Sequence, residues 1–360
     1  MKNSISQRQL FIITAIGFVL NKIYVMPAFL SEISNESLWV SALVNYILDF
    51  FLLLIVLNIL NKTNSTNIFE SISKVFSYRF SKFISIIFAI FFITKSFVPI
   101  FEQKNCIELT FYETQPTILT FMPFFIMAFY VIIKGYRAFG RSMEICLWFY
   151  VFAISVIFML SIFAGRYSSL LPIIGENPIK IAKGSVKSLL WFGDPLYILF
   201  FSGYITNVKN NLKNIKFAYV ISSVTVILFL VVFYAVFDTI SPRQIFAPLK
   251  MSKYSIALSN IGRFDYIASF ILASITVFQI SLPLLFASNA LNYAFNFKKK
   301  FLAPIIVVGI ELAFSVLSQY DFFATIYFVA DYLIYFFIVM TYVVPFIMYV
   351  KLNRRTSYDF

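Results

Sequence analysis

Gly17-Phe18-Val19-Leu20-Asn21-Lys22 and Trp191-Phe192-Gly193-Asp194-Pro195 are the two stretches on which the fold turns. Each lies inside a long apolar run and carries residues that disfavour an unbroken helix in lipid. Gly193 permits backbone conformations closed to other residues. Pro195 lacks an N–H and clashes with the preceding turn. Asn21, Lys22 and Asp194 bring polar groups to the middle of their runs. Irregular backbone inside a bilayer is tolerated where it is buried in protein or lines a cavity. Interruptions at corresponding places in two halves of a membrane protein are the usual pointer to a substrate site. The pair therefore predicts a carrier-type binding protein rather than a channel, an anchor or an enzyme.

The rest of the chain agrees with that class. Of 360 residues, 61% are apolar and 12% charged, the composition of a polytopic membrane protein. A span needs roughly 20 apolar residues, and ten runs qualify: 10–30, 38–60, 83–103, 117–134, 142–163, 188–205, 217–237, 266–290, 301–318 and 322–350. One membrane domain over 1–360 is expected. The first run lacks a small-residue cleavage site and continues past signal length, so it reads as a span.

The net charge of +13 follows topology rather than nucleic-acid binding. With the N-terminus inside, Lys74, Arg79, Lys82, Lys134, Arg137, Arg141, Lys298, Lys299, Lys300, Arg354 and Arg355 all fall on the cytoplasmic side. The short outer loops 31–37 and 319–321 carry no basic residue. This is the positive-inside asymmetry, and ten spans put both termini in the cytoplasm. Two cysteines, Cys106 and Cys146, and no histidine leave no zinc cluster, histidine-based triad or disulfide framework to propose. No metal, cofactor or enzymatic activity is expected.

Three connections have character of their own. Residues 67–82 alternate apolar and basic residues at helical spacing, which predicts an amphipathic helix on the inner surface. Residues 166–187 contain Leu171-Pro172 and Gly175-Glu176-Asn177-Pro178, a turn-rich approach to the sixth run. Residues 252–261 are expected to form a short outer helix.

Several motifs, in order, resemble the spore germination permease family: the B subunits of endospore germinant receptors, within the amino acid–polyamine–organocation superfamily. Ile5-Ser6-Gln7-Arg8-Gln9-Leu10 is similar to the family's opening motif, and Asn67-Ile68-Phe69-Glu70-Ser71-Ile72 to its amphipathic helix. Glu113-Thr114-Gln115-Pro116 resembles its turn before the fourth span. Tyr130, Lys134-Gly135, Arg141 and Glu144 match its crossing into the fifth. Leu170-Leu171-Pro172, Gly184 and Phe192-Gly193-Asp194 match its approach to the sixth, where the family commonly has Phe-Gly-Glu.

The resemblance implies an all-α, ten-helix LeuT-type fold: a five-plus-five inverted repeat with helices 1 and 6 broken. It implies sensing of a small nutrient, often an amino acid, in the spore inner membrane. The implied partners are an A-type membrane subunit and a C-type lipoprotein. The family usually places Gly-x-Gly a few positions before a Leu-Pro in the first span. Counting back from Met26-Pro27, those positions are Leu20 and Lys22, so a bulky residue and a cation replace a flexible turn.

The expected substrate-binding residues are Leu20, Asn21, Lys22, Trp191, Phe192, Gly193, Asp194 and Pro195. At about 1.5 Å per residue, Lys22 lies roughly 18 Å and Asp194 roughly 21 Å from the inner edge of a ~30 Å core. An ion pair between them is expected, since charge at that depth normally faces a partner or a wet cavity. In that position the ammonium stands in for the coupling sodium of related carriers or pairs a substrate carboxylate. The alternative is that Lys22 snorkels outward while Asp194 caps a half-helix. The amides of the second half-helix are expected to suit an anionic ligand group.

Asp49, Lys95, Glu311 and Asp331 are further in-span charges and candidates for an ion path. A structural carboxylate is the favoured partner for Lys95, while Glu311 and Asp331 are placed near the outer interface. Arg141 and Glu144, three apart, share a helix face and are read as architecture. Two functions fit: a germinant-receptor subunit that signals through partners, and a proton- or sodium-coupled amino acid transporter. A water or ion pathway through the same cavity is a weaker third.

Overall fold

The computed structural model describes residues 5–63, 67–110, 117–172, 178–205, 208–254, 264–317 and 326–356. Among these the chain is mainly helical, and an isolated bridge joins Ile5 and Ile205. Five stretches are long and apolar enough to cross a membrane: Met26–Lys62, Tyr78–Glu108, Tyr136–Ile162, Leu212–Arg243 and Ile326–Arg354. The protein is therefore an all-helical membrane protein.

The first run is built in pieces. Helix α1 (Gln7–Ile12) is followed by a π-helical turn at Ile13–Gly17, then α2 (Phe18–Ile23) and α3 (Met26–Ser34). The chain unwinds at Tyr24–Val25, so Leu20, Asn21 and Lys22 stay helical and the break lies just beyond them. Met26-Pro27 restarts the helix because proline's missing N–H is harmless in a first turn. The Tyr24 carbonyl freed by the break accepts from Ala247 N–H at 2.9 Å, which satisfies it from another part of the chain.

Helix α4 (Leu38–Lys62) follows the expected second run. The amphipathic 67–82 segment divides. Its first part, α5 (Ile68–Val75), is capped by Asn67, and its last part opens the long α6 (Tyr78–Thr110). The apolar face of α5 packs on protein, not only on a membrane surface: Phe69 is buried and stacks on Tyr293 at 5.1 Å. Helix α7 (Thr117–Lys134) matches the fourth run, and α8 (Tyr136–Ile162) starts earlier than the fifth.

The largest departure is at the sixth run. Residues 178–187, expected in an outer loop, form α9 (Pro178–Ser188). A 3-10 turn at Leu189–Trp191, an extended Phe192-Gly193 and the short α10 (Pro195–Phe200) follow. Helix α9 reads as soluble by composition, with three lysines on eleven residues, but its small residues allow close packing. Gly184 lies against Ser34, leaving no space for a Cβ. Asn45 Nδ2 donates to the Ser185 carbonyl at 2.9 Å and to Ser188 Oγ at 2.8 Å.

Helices α11 (Val208–Phe237), α12 (Ala247–Tyr254), α13 (Phe264–Phe295) and α14 (Leu302–Leu317) come next. Helix α12 begins before the expected 252–261 element. The last run holds π turns at Val329–Leu333 and Val339–Val343 around α15 (Ile334–Ile338), then α16 (Val344–Thr356). Glu113-Thr114-Gln115-Pro116, Gly175-Glu176-Asn177, residues 255–261 and residues 322–325 lie outside the described residues. The most extensive pairing of elements is α6 along α13, while α4 packs on both α10 and α11. The break in the sixth run thus sits against α4, with α2 and α6 beside it.

Candidate functional site

Lys22 lies in the last turn of α2 and its side chain is 0% exposed; that of Asp194 is 1% exposed. Their ammonium and carboxylate form an ion pair between the two broken segments. Lys22 Nζ also donates to the Phe18 carbonyl at 3.1 Å and lies 5.0 Å from the Phe192 ring centroid. The lysine therefore points inward rather than snorkelling. Asp194 occupies the N-cap position of α10 but makes no side-chain cap bond. Its Oδ2 serves the lysine, and Oδ1 is buried with no partner.

The turn at 190–194 exposes backbone groups that lipid cannot satisfy, and side chains from neighbouring helices satisfy them instead. Gly193 has φ +91°, a conformation suited to glycine. A Cβ there would stand 2.5 Å from Thr341 Cγ2. The Gly193 N–H donates to Asp49 at 3.2 Å (Oδ1) and 2.9 Å (Oδ2). Asp49 also accepts from Tyr219 at 3.1 Å and Tyr342 at 2.6 Å. Lys95 Nζ donates to the carbonyls of Leu190 at 2.6 Å and Phe192 at 2.7 Å. A cation at this position complements the negative end of the first half-helix. Lys95 thus bonds main-chain oxygens instead of the expected carboxylate.

Trp191 Nε1 donates to Glu102 Oε1 at 2.8 Å, and its ring lies 5.0 Å from that of Phe29. Phe192 meets Tyr46 edge-on at 5.0 Å. Lys22, Lys95, Asp49 and Asp194 are two cations and two anions around one turn, so their formal charges cancel. Cancellation of this kind is what allows four ionisable groups at membrane depth. The first amides of α10 are engaged locally: Leu196 N–H donates to Gly193 and Tyr197 N–H to Asp194. They are not held open for an anion.

Leu20 and Asn21 face away from the ion pair. They line a cavity of about 20 Å³ with Gly17, Met143, Tyr197 and Gln279, room for about one water. Asn21 Oδ1 is buried there with no partner. The remaining charges stand apart. Glu311 is buried; Ser96 Oγ donates to its Oε1 at 2.8 Å, and Oε2 has no partner. Asp331 pairs with Lys187 at 2.7 Å on a half-exposed surface. Glu144 takes Gln9 at 3.1 Å and Arg8 at 3.4 Å, so the opening motif docks on α8.

Tyr219, Tyr342, Thr341 and Glu102 were not singled out from sequence. Three of them sit in aromatic or β-branched surroundings like many others in the chain. A π turn is a local irregularity common at functional sites, and one carries Thr341, which lies against Gly193, and Tyr342, which donates to Asp49.

No curated protein matches the chain. A family model described as spore germination protein matches residues 4–323, which covers both broken segments and everything between them. The chain belongs to that family, and is a germination-related, permease-like, multi-pass membrane protein.

Proposed function

We propose that this protein is the membrane subunit of a spore germinant receptor. It binds a small nutrient, most simply an amino acid, between the broken first and sixth helices. Binding is relayed to an A-type membrane subunit and a C-type lipoprotein in the spore inner membrane. The fold that goes with this reading is the ten-helix LeuT-type inverted repeat with both termini cytoplasmic. The observation that carries it is the Lys22–Asp194 pair, which joins the two interrupted segments at a single buried point.

In this arrangement Lys22 stands in the last turn of α2, just before the break, where the family usually carries a small residue. The lysine neutralises Asp194, so no separate cation is required to hold the segments together. A nutrient carboxylate competing for the ammonium would release Asp194, and that release is the conformational signal. The small cavity beside Asn21 is the part of the site that must widen. Asp49 and Lys95 hold the turn in shape, and are positioning residues rather than ligand contacts.

Spores carrying Lys22→Ala at normal protein abundance should lose their nutrient response. An intact response would remove Lys22 from the mechanism. The second reading, a coupled amino acid transporter, is favoured by the unpartnered Glu311 Oε2, a group able to carry a proton. Uptake of labelled amino acids into proteoliposomes separates the two: accumulation by the isolated chain supports transport, and binding without accumulation supports the receptor.

A further inference from the structure

A second and larger cavity, of about 430 Å³, lies where the α7–α8 turn, the tail of the sixth segment, the end of α13 and the start of α14 converge. It shares no lining residue with the cavity beside Asn21. This is the basic end of the bundle, with Lys134 and Lys298 to Lys300 all exposed.

The lining is divided by chemistry. Ser288, Asn289 and Asn292 supply a polar wall, and Lys300 stands at the mouth. Ser288 is only 4% exposed and lines the cavity. Asn289 Nδ2 is committed to Tyr136 at 2.6 Å, which leaves its carbonyl oxygen as an acceptor. Ala303 brings the start of the sixteen-residue α14 to the cavity, and helix starts favour negative charge. The opposite wall is apolar: Ile133 and Phe301 are exposed at the rim beside Pro304.

We propose that this cavity seats the headgroup of an anionic phospholipid. The phosphodiester sits between Lys300 and the start of α14. Headgroup hydroxyls reach Ser288 and the Asn289 carbonyl, and the acyl chains leave across Ile133 and Phe301. A free phosphate would use the polar wall and leave the apolar rim without purpose. Basic pockets between helices at the cytoplasmic side are suited to such lipids.

The test is thermal unfolding of the detergent-purified full chain with added phosphatidylglycerol, phosphatidylcholine or soluble glycerol phosphate. Phosphatidylglycerol should raise the unfolding temperature, and the other two should not. Lys300→Gln and Asn292→Leu, both at exposed positions, should leave the lipid-free unfolding temperature unchanged and weaken the lipid response by about tenfold. Equal stabilisation by phosphatidylcholine, or an unchanged response in both variants, overturns the proposal. A larger shift with glycerol phosphate overturns the lipid as the source. Native mass spectrometry gives an independent reading: retained phosphatidylglycerol in the wild type and its loss in the variants support the site, and equal retention overturns it.

Discussion

The Gly193 N–H donates to Asp49 Oδ2 at 2.9 Å, tying the extended turn of a broken helix to a carboxylate on the unbroken helix beside it. The same carboxylate is held by Tyr219 from α11 and Tyr342 from the last run. Three separate helical parts of the chain therefore agree on the shape of one turn. Lys95 adds a fourth through the Leu190 and Phe192 carbonyls, and Lys22 a fifth through Asp194. A turn fixed from so many directions can change only if several helices move together, which is the property a signalling element needs.

The ion pair is the first place to test that coupling. Lys22→Ala and Asp194→Asn should each lower stability in detergent, by about 3–5 kcal/mol where an uncompensated buried charge remains. The double variant should cost clearly less than the sum, because the interaction is lost only once. Additive losses in unfolding midpoints would argue that the two groups do not share an energy.

Gly193→Ala meets two obstacles, a positive φ and the methyl group of Thr341. It should destabilise the protein by about 1–3 kcal/mol. Adding Thr341→Ser removes Cγ2 and should restore part of the loss, leaving the backbone strain. No recovery in the double variant would show that the contact with Thr341 is not limiting.

Asp49→Asn replaces one acceptor oxygen by a donor that faces other donors. Thermal unfolding should report a loss of about 1–3 kcal/mol. Tyr342→Phe, which removes a single hydroxyl from the same carboxylate, should cost less. The reverse order would show that Tyr342 matters through packing rather than through Asp49.

Helix α9 depends on close approach. Gly184→Ala should drive α9 from Ser34 and lower stability, by about 1–3 kcal/mol for an overpacked site. Ser34→Ala alone should be mild, and combined with Gly184→Ala it should recover part of the loss, since the nearer obstructing oxygen is gone while Ser41 Oγ stays at 3.0 Å. Failure of that rescue in an unfolding assay would place the clash elsewhere.

Lys22 and Asp194 were legible in the sequence because a charge inside an apolar run has few reasons to be there. The places of some helices, α4 and α7 among them, were legible from the length of the apolar runs. The position of the first break was not. Tyr24 and Val25 carry no breaking signal, and their unwinding depends on Ala247, more than two hundred residues away, taking the freed carbonyl. Helix α9 was missed because lysines dominate its composition, while its packing rests on Gly184, Ser185 and Ser188. Lys95 was visible as a charge, but its partners are main-chain oxygens that exist only once the sixth segment has unwound.

By itself the amino-acid order determined a membrane-embedded helical chain with two interrupted segments and opposite charges within them, because hydrophobic length and the cost of a lone charge act locally. Tertiary structure alone decided where the interruptions fall and which side chains close them. A backbone group released inside lipid must find its partner from whatever helix packs alongside, and adjacency between distant segments is not written in any single run.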